Sequence, residues 1–178
     1  MTTETITLGG GCFWCTESVF VNVLGITDVE SGYSNGEVQQ PTYEQVCTGR
    51  TGHNEVVKLE YDPAQISLGE ILEIFFVIHD PTTPNRQGND VGTQYRSGIY
   101  YETPAQKQVA DDLVRQLNQD KLFGVPVVTE VQPRTNYWPA EDYHQDFFAK
   151  NPHQGYCMAV AAPKVAKFRK TFARLAKP

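Results

Sequence analysis

Two cysteines near the start of the chain, Cys12 and Cys15, have the clearest capacity for chemistry in the sequence. Cys12 follows three glycines and precedes apolar residues that recur at helical spacing. The thiolate is the reactive form of cysteine, and the free amide groups at the start of a helix lower the pKa of a thiol. Glycines let the backbone turn sharply and approach a substrate closely. The pattern therefore favours a nucleophile at Cys12 over a small cysteine buried in the core.

The spacing of Cys12 and Cys15 admits two other interpretations. A C-x-x-C pair is typical of dithiol oxidoreductases, and it can also be half of a zinc site. Zinc requires four ligands, and the remaining candidates (Cys47, Cys157 and four histidines) are isolated along the chain. We therefore expect no bound metal or cofactor. A general dithiol-disulfide oxidoreductase and a zinc-stapled binding module stay open as alternatives.

An acid and two hydroxyl groups are further candidates for chemistry. Glu55 begins an apolar strand, where a buried carboxyl would have a raised pKa and act as a general acid near neutral pH. From the residues alone, a solvated glutamate at a strand end is the favoured interpretation. Tyr33, at the end of a predicted strand, and Tyr95, in a polar loop, could donate hydrogen bonds, although most of the nine tyrosines must be packing residues.

Strands and helices interleave along the chain, and they must hold these side chains. Strands are predicted at 5–8, 26–33, 55–61, 97–101 and 125–131, and a further extended segment at 156–160. Helices are predicted at 12–24, from a capping box at Ser67 to before Pro81, at 103–119, in a short segment from Ala140, and from Pro163. A long polar loop at 80–96 is typical of a functional loop. The strands are too few and short for a doubly wound sheet, so we expect one α+β domain, residues 1–178, with two layers.

Composition narrows the function classes. The chain has 178 residues and a formal charge of -6, and its basic residues do not cluster until the last fifteen positions, which argues against nucleic-acid binding. No apolar stretch is long enough for a membrane span, and the first residues lack the pattern of a signal peptide. We therefore expect a cytoplasmic protein. In that compartment four cysteines indicate catalysis or redox chemistry more than a permanent disulfide framework.

Six motifs in order carry a resemblance to a known family. The sequence resembles the A-type peptide methionine sulfoxide reductases across nearly its whole length. The matching segments are Gly11-Cys12-Phe13-Trp14, residues 31–36, Gly52-His53-Asn54-Glu55, residues 88–95, Tyr143-His144-Gln145-Asp146 and Gly155-Tyr156-Cys157. The resemblance implies a two-layer α/β sandwich, plait-like, with a mixed sheet, long functional loops and a C-terminal tail.

The resemblance also implies how the reaction proceeds. Cys12 matches the nucleophile that attacks the sulfoxide sulfur, releases methionine and becomes a sulfenic acid. Glu55 matches the acid that protonates the sulfoxide oxygen, and Tyr33 and Tyr95 match the hydroxyls that hold it. Such donors make physical sense, because sulfoxide oxygen leaves poorly unless it is protonated or strongly hydrogen-bonded.

Binding and recycling roles follow from the same resemblance. Phe13 and Trp14 match the pocket for the substrate's methyl group, and Asp90 matches a loop acid near the site. Cys157 matches a resolving cysteine that forms a disulfide with Cys12, which thioredoxin or another external dithiol then reduces. The substrate would be the S-epimer of methionine sulfoxide, free or in oxidised proteins, and the enzyme a monomer.

Cys15 departs from the family pattern, because many members have glycine there. Helical i, i+3 spacing places it on the same face as Cys12. It could resolve the sulfenic acid directly, relay a disulfide to Cys157, or take no part. We expect Cys157 to resolve, on a tail mobile enough to reach Cys12, and Cys47 to be a small buried residue.

Overall fold

The computed structural model describes residues 2–178, which form one mixed sheet, a separate two-stranded hairpin and six α-helices. The strands are β1 (Glu4–Gly9), β2 (Ile26–Ser34), β3 (Asn54–Tyr61), β4 (Arg86–Gln87), β5 (Asp90–Val91), β6 (Gly98–Tyr101), β7 (Glu130–Pro133) and β8 (Trp138–Pro139). The helices are α1 (Phe13–Phe20), α2 (Tyr43–Cys47), α3 (Leu68–Ile78), α4 (Pro104–Gln119), α5 (Phe147–Lys150) and α6 (Ala162–Thr171).

Six strands form the sheet in the order β7-β6-β1-β3-β2-β8. All neighbours are antiparallel except β6 and β7, which are parallel, so the predicted mixed sheet is confirmed. β2 and β3 pair along nearly their full length, and this register places Tyr33 opposite Glu55. β4 and β5 form a short hairpin inside the segment predicted as a long loop.

Helices pack against the sheet and complete the predicted α+β architecture. α3 begins at the predicted capping box, in which the Ser67 hydroxyl accepts from the amide of Glu70 and the Glu70 carboxylate accepts from the amide of Ser67. α4 begins, as predicted, with Pro104 after the cap Thr103. α3 buries Ile71, Leu72 and Phe75 completely, so α3 supplies much of the core.

Two elements have bounds that differ from those predicted from the sequence. α1 ends at Phe20 rather than at Leu24, which is exposed and whose amide donates to the carbonyl of Leu175. The strand predicted at 125–131 starts only at Glu130, and Val125 lies exposed. In both cases apolar residues that the sequence pattern counted as element interior lie in connecting segments.

The segment around Cys157 is helical rather than extended. Cys157–Ala161 forms a wide helical turn that continues directly into α6, so α6 begins at Ala162, one residue before Pro163. The side chain and carbonyl of Gln154 accept from the amides of Cys157 and Met158, which starts the helix before the predicted point.

The C-terminal tail is held against the end of α1. Val23 pairs with Ala176 in an isolated bridge, and the amide of Lys177 donates to the carbonyl of Asn22. The described residues therefore hold the C-terminal tail in contact with the rest of the fold, and its mobility stays a prediction. Across residues 2–178, no helix combines the length and the apolar character that a membrane crossing requires.

Candidate active site

A glycine turn carries the chain from the edge of β1 into α1. A Cβ atom on Gly9 would lie 2.4 Å from the side-chain nitrogen of Asn54, and Gly11 has a φ of +97° with the side chain of Gln87 close to its Cα. Only glycine fits these positions without strain. The turn sets Cys12 immediately before the first residue of α1, as the sequence predicted.

Cys12 is buried at the start of α1. Its carbonyl accepts from the amides of Cys15 and Thr16, and its side chain is 9% exposed. Burial raises the pKa of the Cys12 thiol well above its usual range, helped by a hydrogen bond to Cys15 and by the charge of Glu55, and the amide of Trp14 opposes this only in part. The expected depression of the pKa of Cys12 by the helix start is therefore wrong, because burial outweighs the helix amides.

Glu55 provides a buried acid at the beginning of β3. It is 1% exposed, and burial raises its pKa to about 8, against the opposing effect of the amide of Phe13. That amide donates to Oε1 of Glu55 at 3.2 Å, so the carboxyl is tied to the residue directly after Cys12. Its Oε2 has no partner among the described residues. At neutral pH Glu55 is a protonated acid with one free oxygen.

The two predicted tyrosines differ in burial and in the hydrogen bonds of their hydroxyls. Tyr33 is completely buried and its hydroxyl donates to Oε1 of Glu141 at 2.8 Å, so this hydroxyl proton is already used in a hydrogen bond within the protein. Tyr95 ends a short 3-10 turn and is half-buried. Burial raises the pKa of Tyr95, and the charges of Glu55 and Cys12 act in the same direction.

A third tyrosine, Tyr43, is a candidate that the sequence reasoning missed. It begins α2, and its ring stacks on that of Phe13 with centroids 6.4 Å apart and an interplanar angle of 17°. Burial raises the pKa of Tyr43, followed by the charge of Glu55, and Cys12 contributes too. A signal was available: Thr42 and Gln45 form a capping box that fixes the start of α2, and hence the position of Tyr43.

Aromatic side chains form the wall beside Cys12. Phe13 is completely buried, 5.0 Å from the ring of His144. Trp14 is half-buried, stacks on Phe147 with centroids 3.8 Å apart, and donates from Nε1 to Nδ1 of His144 at 2.9 Å. Phe13 therefore forms the buried end of this aromatic wall, and Trp14 forms its half-exposed end.

Cys15 lies in a polar cluster behind Cys12. Its Sγ is 3.7 Å from the hydroxyl oxygen of Tyr156, and that hydroxyl donates to Asp90 at 2.6 Å. The hydrogen bond from the Cys12 thiol lowers the pKa of Cys15, and the charge of Lys164 adds to this effect while burial opposes it. The more acidic thiol of the pair is thus Cys15, and the two titrate together.

The other two cysteines occupy contrasting positions. Cys157 is completely buried, and both burial and the charge of Cys15 raise its pKa. Cys47 is exposed at the end of α2, which corrects the expectation that it is buried. All four cysteines are free thiols in this structure.

The structure brings most of the predicted residues together. Cys12, Glu55 and Tyr95 interact electrostatically, Phe13 and Trp14 adjoin them, and Asp90 reaches the cluster through Tyr156. Tyr33 lies opposite Glu55 and next to Phe13 as well, but its hydroxyl donates to Glu141. Among the described residues, no group of three or more histidine, cysteine, aspartate or glutamate side chains could hold a metal ion. The arrangement can supply a sulfur nucleophile, a proton and hydroxyl donors to one small polar group.

Comparison with known proteins supplies a family for this arrangement. The family model described as peptide methionine sulfoxide reductase matches residues 4–176. A peptide methionine sulfoxide reductase MsrA of Polynucleobacter asymbioticus is 53% identical over 177 residues, which cover 99% of this chain and 93% of that protein.

Solved structures agree with the sequence comparison. The reduced form of Mxr1 from Saccharomyces cerevisiae superposes with a TM-score of 0.82 at 38% identity, covering 87% of this chain and 89% of that one. Mxr1 in complex with Trx2 superposes with a TM-score of 0.58 at 27% identity, covering 82% and 84%.

Proposed function

The chain belongs to the peptide methionine sulfoxide reductase family and reduces methionine sulfoxide, and from that premise we propose that Cys12 is the nucleophile and Glu55 the proton donor. The observation that carries this assignment is the free Oε2 of Glu55, a buried acid with a pKa of about 8 joined through the amide of Phe13 to the residue after Cys12. A general acid works best when its pKa lies near the operating pH.

The proposed first step transfers oxygen from the substrate to Cys12. The Cys12 thiol gives its proton to the thiolate of Cys15, the more acidic thiol of the pair, and the Cys12 sulfur attacks the sulfoxide sulfur. The oxygen accepts a proton from Glu55, the oxygen–sulfur bond of the substrate breaks, and the oxygen ends on Cys12 as a sulfenic acid. Methionine leaves with the electron pair, so the substrate is reduced and Cys12 is oxidised.

Tyr43 and Tyr95 are the proposed donors to the sulfoxide oxygen. Burial, and then the charges of Glu55 and Cys12, raise the pKa of both tyrosines. Both side chains are half-buried, and their hydroxyls form no hydrogen bond to an oxygen or nitrogen of the described residues. Tyr33, expected in this role from the sequence, has its proton committed to Glu141. We therefore assign Tyr33 to holding Glu141, whose other oxygen accepts from the amide of Tyr43.

Phe13, Trp14 and Asp90 are proposed to form the substrate pocket. Phe13 and Trp14 offer apolar surface to the methyl group bound to the substrate sulfur. Asp90, through Tyr156, holds the polar cluster that faces Cys15. The preference for the S-epimer is part of this proposal, because a proton donor and two hydroxyl donors at fixed positions would favour one configuration of the oxygen.

Cys15 replaces Cys157 as our proposed first resolving thiol. Cys15 lies one helical turn after Cys12 and affects its pKa through a hydrogen bond, whereas Cys157 is fully buried at the start of another helical segment. The thiol of Cys15 condenses with the sulfenic acid of Cys12 to give a disulfide and water. Cys157 then exchanges with that disulfide at Cys15, which frees Cys12 for the next substrate. Mass spectrometry after one turnover tests this order, because a Cys12–Cys15 disulfide should persist in Cys157→Ser.

Recycling is proposed to require an external thioredoxin or dithiol. The Trx2 complex of the related Mxr1 supports this partner. No other cofactor is proposed. A cytoplasmic location is proposed because a disulfide that must be reduced in each cycle suits a reducing compartment. We further propose that the chain is one catalytic domain and acts as a monomer on free or protein-bound methionine sulfoxide, which sedimentation and competition between the two substrates would test.

Turnover of the separated sulfoxide epimers by wild type and Cys12→Ser tests the proposed function. We expect the wild type to reduce one epimer and Cys12→Ser to reduce neither. Retained activity in Cys12→Ser would refute the assignment of the nucleophile.

A further inference from the structure

A buried carboxyl that the proposed chemistry does not use lies on α1, one helical turn after Trp14. Glu17 is 2% exposed. Its Oε1 accepts from the backbone amide of Phe147 at 3.2 Å, and its Oε2 accepts from the hydroxyl of Ser31 at 3.2 Å. No lysine or arginine between residues 2 and 178 forms an ion pair with it. Burying a carboxyl without a cation is costly, so its partners indicate a use beyond packing.

The amide that Glu17 holds belongs to the segment that contacts Trp14. Phe147 is the first residue of α5, and Asp146 before it has a φ of 56°, a left-handed conformation that an outside contact must help to maintain. The ring of Phe147 lies parallel to that of Trp14, 3.8 Å away at 5°. His144, three residues earlier, accepts from the indole nitrogen of Trp14 at 2.9 Å.

The hydrogen-bond acceptor and the stacking partner of the indole therefore both lie within residues 144–147, while Tyr156 meets it edge-on. A second attachment of this segment runs through Gln145, whose side chain accepts from the amide of Ser31 and donates to its carbonyl. The Glu17 attachment differs because it joins the segment to α1 itself, the helix that carries Trp14. The indole and the surface on which it stacks are thereby fixed to the same helix.

We propose that Glu17 is a positioning residue for Trp14, which holds the first turn of α5 against α1 so that Phe147 and His144 keep the indole over the substrate pocket. Glu17 touches neither substrate nor the reacting sulfur, so its effect on the reaction passes through Trp14. The inference rests on the proposed role of Trp14 in binding the substrate. It predicts that loss of the Glu17 contact weakens substrate binding more than the chemical step.

The experiment uses the full chain with Trp138→Phe, which leaves Trp14 as the single tryptophan of the two in the sequence. In this background Glu17→Ala should raise KM for methionine sulfoxide about tenfold and change kcat less than about threefold. The emission of Trp14 should shift to longer wavelength, and acrylamide should quench it more strongly. Glu17→Gln keeps an oxygen acceptor for the Phe147 amide, so it should restore KM to within about threefold of the parent.

A matched control removes the other contact of the same carboxyl. Ser31→Ala takes away the hydroxyl at Oε2 and leaves the contact with Phe147, so KM and the emission of Trp14 should stay within about twofold of the parent. Equal damage in Ser31→Ala and Glu17→Ala would overturn the proposal, because Glu17 would then act through general packing.

Two further outcomes decide the matter. Unchanged Trp14 emission in folded Glu17→Ala would overturn the proposal. If Glu17→Ala does not fold, Glu17→Asp replaces it. The shorter side chain withdraws the carboxylate from the Phe147 amide, so it should produce the same shifts in KM and emission. If Glu17→Asp shows no such shifts, the proposal is overturned.

A separate variant tests the pocket role of Trp14, on which the inference rests. An unchanged KM in Trp14→Ala would refute that role. The emission of Trp14 in the Glu17 variants reports independently whether Glu17 holds the indole.

Discussion

The two sides of the site are built differently. The side that carries Cys12 and Glu55 belongs to the sheet and to α1, and both residues are almost completely buried. The opposite side consists of segments outside the sheet and α1, with half-buried residues such as Tyr43, Tyr95 and Tyr156. The sheet side holds Cys12 and Glu55, the proposed nucleophile and proton donor, and burial raises the pKa of both. The loop side supplies contacts that open to the substrate and to the other thiols.

This contrast teaches where each property of the enzyme is determined. The pKa of Glu55 is raised to about 8 chiefly by burial, so it depends on the packing of β3 under α1. The acidity of Cys15 instead depends on hydrogen bonds and on a charge from α6, which lies on the loop side. We therefore expect substitutions on the sheet side to abolish the chemical step and those on the loop side to change binding or recycling.

The largest expected effect is that of Glu55→Gln. Glutamine has nearly the shape of the protonated carboxyl but cannot give a proton, so kcat should fall about a thousandfold while KM changes little. Steady-state kinetics with methionine sulfoxide measure both. Glu60→Gln, on the same strand, is the matched control and should behave as wild type. Loss of less than tenfold in Glu55→Gln would mean that the proton comes from elsewhere.

The same substitution should make the protein more stable. The pKa of Glu55 rises from 4.5 to about 8 on folding, so between these values the folded state holds a proton that the unfolded state has lost, and stability falls as pH rises. At pH 7 this costs roughly 3 kcal/mol, which Glu55→Gln should recover. Urea unfolding at pH 7 and pH 5 measures the free energy of unfolding, and the gain should shrink at the lower pH. A destabilised Glu55→Gln would contradict the burial of an acid.

The pH dependence of the reaction should report the same group. Glu55 gives its proton only while protonated, so kcat/KM should decline about fivefold between pH 8 and pH 9. The residual activity of Glu55→Gln should lack this decline. A wild-type profile that keeps rising to pH 9.5 would exclude a carboxylic acid of this pKa from the reaction.

The smallest expected effect separates two tyrosines on the loop side and the sheet side. Tyr43→Phe removes a proposed donor to the sulfoxide oxygen and should lower kcat/KM about fivefold. Tyr33→Phe removes only the contact with Glu141 and should change kcat/KM less than about twofold. The reverse order of effects would restore the role first expected for Tyr33.

The sequence allowed prediction of the sheet side more fully than of the loop side. Cys12 at the start of α1 and Glu55 in β3 followed from local patterns, because a glycine turn and an alternating strand specify their own backbone. The hydroxyl of Tyr33, by contrast, is engaged by Glu141, which lies 108 residues away in the sequence. The pKa of Cys12 was also missed, since burial by distant segments outweighs the local helix amides.

The helical turn at Cys157 has a similar explanation. Its residues alternate weakly enough to suggest a strand, but Gln154 starts a helix and α6 continues it. The fully buried Phe168 of α6 then fixes that helix to the core. Such packing cannot be recognised from a short window of sequence, and it places Cys157 in a buried helical turn rather than in an extended segment.

The central claim is that Glu55 holds a proton beside Cys12 at neutral pH. Infrared difference spectra of the protein with labelled glutamate, with Glu55→Gln as the reference, measure its protonation directly as pH is varied. We predict a protonated carboxyl band at pH 7 that disappears with an apparent pKa near 8. A carboxylate already ionised at pH 6 would contradict the account.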